Sequence, residues 1–354
     1  MAVSGSRPAQ PYSAGARSWI APAVAYAAVL VAFWFAAQWF QIEARIGGHL
    51  PSGFASFALL LAPYWAFGFG AAGALDQVLS SRTARLLGPA LLLVPYLVFA
   101  LPRGEFVLRY AVALVLIPVL QTAIFEFFPP GGVRGSGAGL SWQDVAVLLL
   151  AGIPVEFRLL AGAWPHPGLS AMPKLLLVDA TLHAFLVVRR VPGVGYDFRP
   201  RLRDLLVGAR EWAFFAPLAI GIGLALHFLT FRPHAPNAWS VAVAWLVTFF
   251  FVAIPEELFF RGLLQNLLER RFAQGAASDA RAQRAARLRA LVLAAIIFGL
   301  SHFNKPLPFN GRYVLLASIA GIFYGRAWLD RRRLLSSAVT HTGVDVVWGI
   351  WFKL

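Results

Sequence analysis

The chain has 354 residues, of which 59% are hydrophobic and only 13% are charged, and its mean hydropathy is +0.68. These values exclude a soluble globular protein and indicate a helical protein that crosses the membrane several times. The net charge of +15 does not indicate nucleic-acid binding, because the arginines lie in short segments between apolar runs, as topology signals do. The chain contains no cysteine, which excludes disulfides, thiolate catalysis and cysteine-ligated metal sites.

Residues 1–17 are polar and rich in Pro, Ser and Gly, and they predict a disordered cytoplasmic tail. The apolar runs that follow predict an all-α fold, a polytopic transmembrane helical bundle of about 11 spans within a range of 9–11. The predicted spans are 18–40, 53–74, 85–101, 106–128, 143–164, 170–188, 212–231, 238–268, 288–303, 311–329 and 334–352.

The distribution of basic residues predicts the orientation. If the N-terminus is cytoplasmic, twenty Lys and Arg residues fall in the inside segments and seven in the outside segments. The positive-inside rule therefore favours a cytoplasmic N-terminus and a C-terminus outside. The high content of Arg and Ala is typical of a GC-rich bacterial source, so we expect an integral protein of the bacterial inner (cytoplasmic) membrane.

The predicted organisation has two transmembrane parts joined by a basic segment. Residues 18–188 form an N-terminal transmembrane region of unknown role, 189–211 a basic cytoplasmic linker that we expect on the anionic membrane surface, and 212–354 the C-terminal part. Within the first part, AGIPVEFRLL (151–160) is similar to VAIPEELFFRGLL in the second. This similarity is either a degenerate repeat or a coincidence of composition.

The stretch IPEELFFRGLL (254–264) interrupts an apolar run with Glu256, Glu257 and Arg261. Ionisable groups at membrane depth need a partner or a changed protonation state, which makes them functional candidates. In a helix, Glu257 and Arg261 form an i,i+4 pair on one face, whereas Glu256 points about 140° away from Arg261. This geometry predicts a structural ion pair between Glu257 and Arg261 and leaves Glu256 as a candidate general base. Pro255 predicts a bend just before the two carboxylates.

Two later segments carry further polar groups. FGLSHFN contains His302, and SSAVTHTGVDVVW contains His341 and Asp345 one helical turn apart. With a rise of 1.5 Å per residue, Glu256, His302 and Asp345 lie about 18–21 Å from the nearest arginine on the predicted cytoplasmic side, and His341 about 12 Å. Four polar groups on three helices thus converge on one slab of the membrane, which predicts a shared site.

Two kinds of chemistry fit these four side chains. A carboxylate and an imidazole can deprotonate a water for attack on a carbonyl, while a second imidazole and a hydrogen-bond donor stabilise the oxyanion, which amounts to amide hydrolysis. Alternatively, Glu256, His302, His341 and Asp345 could bind a divalent metal that activates the water. The residue spacing leaves both open, since no compact zinc motif is present.

The three segments together resemble a known family, the CAAX-processing and bacteriocin-processing (CPBP) intramembrane proteases, which include the type II CAAX prenyl endopeptidases. EELFFR (256–261) resembles the family's EExxxR motif, FGLSH (298–302) its FxxxH motif, and HTGVD (341–345) its final HxxxN motif. The resemblance covers about residues 238–354. The order and the spacing of the three motifs agree with the family.

The resemblance implies a role for each residue. Glu256 corresponds to the base that activates water with the help of His302, and His341 with Asp345 corresponds to the oxyanion-stabilising pair. Glu257 and Arg261 correspond to structural residues, and no cofactor is implied. Asp345 stands where the prenyl proteases usually have Asn; an ionised Asp cannot donate a hydrogen bond, so it is either protonated or it orients His341.

The sequence therefore predicts an intramembrane glutamic endopeptidase that hydrolyses a peptide bond of a membrane-associated protein or peptide. The expected partners are that substrate and the lipid bilayer, with no nucleic acid. The alternatives are a metal-dependent protease built from the same residues, a non-catalytic membrane scaffold or bacteriocin-immunity protein, and a transporter with an ionisable site.

Overall fold

A computed structural model of the protein describes residues 19–46, 48–132, 134, 137–275, 279–304 and 309–353. The predicted disordered tail, 1–17, lies outside the described residues. Most of the described chain is helical, which confirms the predicted all-α helical bundle. In this part of the chain the strands are limited to β1 (Thr230–Phe231) and β2 (Phe352–Lys353), which pair antiparallel.

The described residues of the N-terminal region form nine α-helices. They are α1 (Ile20–Trp39), α2 (Ile42–Arg45), α3 (Leu50–Gly68), α4 (Ala71–Val78), α5 (Arg82–Leu87), α6 (Leu93–Ala100), α7 (Leu108–Phe127), α8 (Trp142–Glu156) and α9 (Met172–Leu182). Short 3₁₀ turns occur at Gly88–Leu92, Pro130–Gly132, Ala161–Ala163 and Pro167–Leu169, and a π-helical turn, His183–Val188, continues α9.

In the C-terminal part, seven α-helices lie within the ranges that the structure describes. They are α10 (Leu202–Ala225), α11 (Ala238–Thr248), α12 (Ile254–Glu257), α13 (Asn266–Phe272), α14 (Ala280–Leu300), α15 (Gly311–Arg331) and α16 (Leu334–Trp351). Two π-helical segments, Phe249–Ala253 and Leu258–Gln265, join α11, α12 and α13 into one continuous rod of 35 residues.

Seven of the described helical stretches are long and apolar enough to cross a membrane, and each coincides with one of the eleven predicted spans. The other four predicted spans differ in length or polarity. The helix predicted at 143–164 ends at Glu156, after 15 residues. The helices α14, α15 and α16 are 21, 21 and 18 residues long, but they carry charged or hydrogen-bonding side chains, including those of the candidate site.

Ion pairs connect the segments that were predicted to lie on the cytoplasmic side. Arg134 donates to Asp76 at 3.0 Å, and Arg190 also binds Asp76. Burial acts to raise the pKa of Asp76, but hydrogen bonds from the two arginines hold it below its usual value. Farther along the chain, Arg333 binds Asp204 at 2.7 Å. These contacts place the loops after the second, fourth, sixth and tenth predicted spans at one end of the bundle.

A second group of contacts connects the segments predicted to lie outside. Arg103 donates to the carbonyl of Gly48 at 2.7 Å, and His166 lies 3.1 Å from Glu105. The pairing of β1 with β2 joins the chain before α11 to the C-terminal end of α16. Segments predicted to lie inside contact one another, and segments predicted to lie outside contact one another. The chain therefore alternates between two ends of the bundle, as the predicted topology requires.

The predicted linker 189–211 is only partly exposed. Its apolar residues Val191, Val194, Tyr196 and Phe198 are buried, and α10 begins already at Leu202. The rings of this segment pack against aromatic residues of α3 and of the rod, with Phe198 5.4 Å from Tyr64 and 6.0 Å from Phe250 between ring centroids. Arginines of the linker such as Arg201 and Arg203 are exposed, whereas the aromatic residues between the arginines are buried because they gain more from burial than from the interface.

The orientation can be checked with two exposed arginines that lie at opposite ends of the bundle, Arg201 and Arg312. We expect Arg312→Cys to react with a membrane-impermeant maleimide added outside intact cells, and Arg201→Cys to react only after permeabilisation, because the inside segments hold most of the arginines. The cysteine-free chain gives no background labelling. The reverse pattern would invert the orientation, and labelling of both variants from one side would contradict the alternation.

Candidate active site

The two glutamates lie on the rod formed by α11, α12 and α13. Pro255 stands in the first turn of α12, directly after the π-helical turn Phe249–Ala253. A wider π turn accommodates the backbone where proline cannot donate a hydrogen bond, and π turns are frequent at functional sites. A second π-helical segment, Leu258–Gln265, follows the glutamates. The backbone distortion predicted at Pro255 thus takes the form of two π-helical segments, one on each side of α12.

Glu257 is fully buried and accepts hydrogen bonds from three sides. The Arg261 Nε donates to one carboxylate oxygen at 3.1 Å, and the Ser337 hydroxyl donates to the same oxygen. The His341 Nδ1 binds the other oxygen at 2.8 Å. Since a carboxylate can only be buried when it is paired and hydrogen-bonded, these contacts fix the side chain and join α12 to α16.

Arg261 is also fully buried, and aromatic rings cover its guanidinium group. The guanidinium carbon lies 5.0 Å from the centroid of Phe298 and 5.9 Å from that of Tyr324. Within the described part of the chain, its two terminal nitrogens have no hydrogen-bond partner. The faces of the two rings therefore supply the remaining electrostatic contact of the guanidinium group. The pair of Glu257 and Arg261 expected from the sequence is present, and both side chains are buried.

His341 connects the buried pair to an open cavity. While its Nδ1 faces Glu257, its Nε2 lies 3.4 Å from an Asp345 oxygen and 3.8 Å from a Glu256 oxygen. Its ring stacks on Tyr324 with centroids 4.6 Å apart and planes at 16°. The ring is thus fixed in position and orientation, and one edge is directed at the two remaining carboxylates.

His302 lies just after the end of α14. Its Nδ1 lies 2.9 Å from the carbonyl oxygen of Phe298, and because a carbonyl only accepts, this nitrogen carries a proton. The Nε2 is then the ring nitrogen that can accept a proton in the neutral form. Tyr313 lies edge-on to the ring at 4.7 Å, so aromatic contacts hold His302 from both sides together with Phe298.

The structure brings the four predicted site residues together around one cavity of about 220 Å³. Glu256, His302, His341 and Asp345 all line it. The Glu256 side chain is 25% exposed, whereas that of its neighbour Glu257 is 0% exposed. The convergence in depth expected from the sequence is therefore present in three dimensions, and Glu256 is the glutamate that can contact water.

The geometry of the metal alternative can be examined directly. Among the residues that the structure describes, no group of three or more His, Cys, Asp or Glu side chains is arranged to hold a metal ion. The side chains around the cavity contact each other as ion pairs and hydrogen bonds, as in the contacts of His341 above. Chelation is the test of the metal-dependent alternative.

Sequence reasoning missed one charged residue of the site. Lys174, on α9 in the N-terminal region, lies 3.8 Å from a Glu256 oxygen. Its side chain is 26% exposed. A signal was available: the chain has only three lysines, and the other two, Lys305 and Lys353, lie between or after predicted spans. What the sequence could not show is that α9 packs beside α12.

Comparison with known families agrees with the motifs. Residues 238–347 match the family model described as type II CAAX prenyl endopeptidase Rce1-like. The matched segment is about a third of the chain and contains all three motifs, which confirms the predicted relation to the CPBP proteases. No curated protein and no solved structure matches the chain significantly.

The difference in burial between the two glutamates predicts different effects on stability. We expect Glu257→Gln to lower the free energy of unfolding by about 3–5 kcal/mol, because it leaves Arg261 buried without its counter-charge. The matched variant Glu256→Gln changes a partly exposed group and should cost about 1 kcal/mol or less. Thermal unfolding of the purified protein in detergent compares the two; equal losses would contradict the structural role of Glu257.

Proposed function

We propose that this chain, related through residues 238–347 to the type II CAAX prenyl endopeptidases, is an intramembrane glutamic endopeptidase. It would hydrolyse a peptide bond of a membrane-associated protein or peptide. The observation that supports the proposal is the shared cavity: Glu256 on α12, His302 just after α14 and His341 on α16 line one cavity. Ionisable groups that converge in this way are costly to bury and are typical of a reaction site.

The two adjacent glutamates have different proposed roles because their side chains differ in exposure. Glu257 is occupied by Arg261 and His341, whereas Glu256 borders the cavity and can reach a water molecule. In the proposed reaction Glu256, assisted by His302, takes a proton from that water as the oxygen attacks the carbonyl carbon. Glu256 then returns the proton to the amine as the peptide bond breaks.

The developing oxyanion needs a hydrogen-bond donor in the same cavity. When both ring nitrogens of His341 are protonated, Nδ1 donates to Glu257 and Nε2 is directed at Asp345 and Glu256, where the reacting carbonyl would lie. Asp345 completes the pair either as a protonated donor or as a carboxylate that orients His341. The contact of 3.4 Å between Asp345 and His341 is compatible with both forms.

The first test is proteolysis by the protein reconstituted in liposomes, with a panel of membrane-tethered fluorogenic peptides that includes lipid-modified ones. We expect Glu256→Gln to lower cleavage by about 10²–10⁴-fold, because the amide cannot take a proton from water. Glu43→Gln, which changes an exposed carboxylate on α2, serves as the control and should leave cleavage unchanged.

A chelator added to each sample separates the mechanisms. The glutamic mechanism predicts that cleavage persists, and its loss on chelation with recovery on adding metal would instead support the metal-dependent protease. Full cleavage by Glu256→Gln would contradict both enzymatic proposals. Unchanged cellular function of that variant would point to the scaffold or immunity protein.

The role of Asp345 can be tested by replacing its charge or its polarity. We expect Asp345→Asn to retain activity within about tenfold, because the amide can donate to the oxyanion, and Asp345→Leu to lose about 10²–10³-fold. The measurement is kcat/KM for the best peptide of the panel. If Asp345→Asn lowers kcat/KM as much as Asp345→Leu does, the negative charge is required, and Asp345 acts by orienting His341.

A further inference from the structure

A second cavity, of about 410 Å³, lies on the other side of Glu256 and His302. Those two side chains line both cavities, so the proposed water-activating pair stands between them. One wall of the second cavity comes from α12, the π-helical segment after it and the end of α14. The other wall comes from α8 and α9 of the N-terminal region. Its volume falls within the range of sites that bind sizeable groups, whereas the first cavity is smaller.

The rim of the second cavity is apolar and exposed. Leu149, Ile153 and Phe157 form its edge on α8, and Leu300 and Phe303 form the edge at the end of α14. In a membrane protein, exposed apolar side chains of this kind face lipid. The cavity therefore opens sideways to the bilayer between α8 and α14.

Small residues on α8 leave the room for this cavity. Gly152 lines it, and a Cβ atom added there would lie 3.4 Å from the Cζ atom of Phe259, in ordinary van der Waals contact. A larger side chain at 152 would extend from that point along the cavity wall. The free volume beside Phe259 thus depends on the absence of a side chain at one position of the N-terminal region.

Charged side chains line the second cavity beside Glu256. Lys174 approaches Glu256 to 3.8 Å, and Glu156 lines the same cavity from α8. The segment 151–160, whose sequence is similar to that around Glu256, thus faces Glu256 across the cavity. A group bound in the cavity would extend from lipid to the atoms that react.

We propose that the second cavity is the subsite that binds the apolar side chains flanking the scissile bond of a membrane-embedded peptide, entered from the bilayer between α8 and α14. The inference rests on the proposed protease function. It assigns substrate selection to the N-terminal region, which lies outside the segment matched to the protease family. The occupant is a peptide segment because the cavity is continuous with Glu256 and His302, whose reaction requires a peptide bond at that place.

Access to the cavity can be measured without any cleavage. Leu177 lines the cavity, while its neighbour Leu176 is equally buried but faces elsewhere. In liposomes, we expect Leu177→Cys to react with lipid-soluble N-ethylmaleimide about tenfold or more faster than Leu176→Cys, which becomes accessible only by local unfolding. Equal, slow labelling of both variants would show a closed cavity and overturn the subsite.

The occupant is identified by substrate selectivity. Membrane-tethered peptides carry Ala, Leu or Phe next to the cleaved bond, and Gly152→Leu reduces the space beside Phe259. We expect this variant to lower kcat/KM for the Phe peptide relative to the Ala peptide by about 10-fold or more, mainly through KM. The control Gly221→Leu, at a helical glycine with open space around it, should keep the ratio of the wild type.

The outcomes separate this inference from the proposed function. If the wild type cleaves and Gly152→Leu keeps the same ratio although Leu177→Cys is labelled, the cavity takes lipid rather than substrate, and the subsite is overturned while the protease stands. If no peptide is cleaved even by the wild type, the proposed function fails and this inference fails with it, whatever the labelling. A selectivity change confined to Gly152→Leu supports both.

Discussion

The buried carboxylate of Glu257 is the constraint on which the site depends. An ion in a dry interior is tolerated only with counter-charges and hydrogen bonds, and Arg261, Ser337 and His341 supply them. Because Ser337 and His341 belong to α16, satisfying this one charge fixes α16 against α12. The hydrogen bond between His341 and Glu257 also orients the His341 ring so that its other nitrogen faces the cavity. The same network therefore holds two helices together and positions a side chain of the candidate site.

Exposure, and not residue type, distinguishes the two neighbouring glutamates. Glu257 is sealed by its partners and cannot exchange a proton with water, whereas Glu256 borders both cavities. The π-helical segments around α12 and the helical rotation between adjacent residues direct the two side chains to different surroundings. One short stretch thus provides both the anchor of the helix packing and a group that is available for reaction.

Much of this arrangement could be predicted from the sequence because it follows from local geometry. The i,i+4 spacing predicts the pairs of Glu257 with Arg261 and of His341 with Asp345, and the distance from basic residues predicts a common depth. Contacts between distant segments carry no such periodic signal. The approach of Lys174 to Glu256 and the burial of the apolar residues from Val191 to Phe198 depend on how the two regions pack, and helical periodicity does not determine that packing.

The contacts between the two regions show that the candidate site depends on more than the matched segment 238–347. Phe198, a buried residue of the linker, packs on Phe250 of the rod, and the Tyr64 hydroxyl of α3 donates to the carbonyl of Phe250 at 2.9 Å. That hydrogen bond contacts a carbonyl within the π-helical turn, where the regular α-helical backbone pattern is interrupted. The N-terminal region therefore supports the backbone just before Glu256, and Lys174 contacts the carboxylate itself. Because the N-terminal region supports the backbone of the candidate site and contacts one of its carboxylates, the two regions form one structural unit around the cavity.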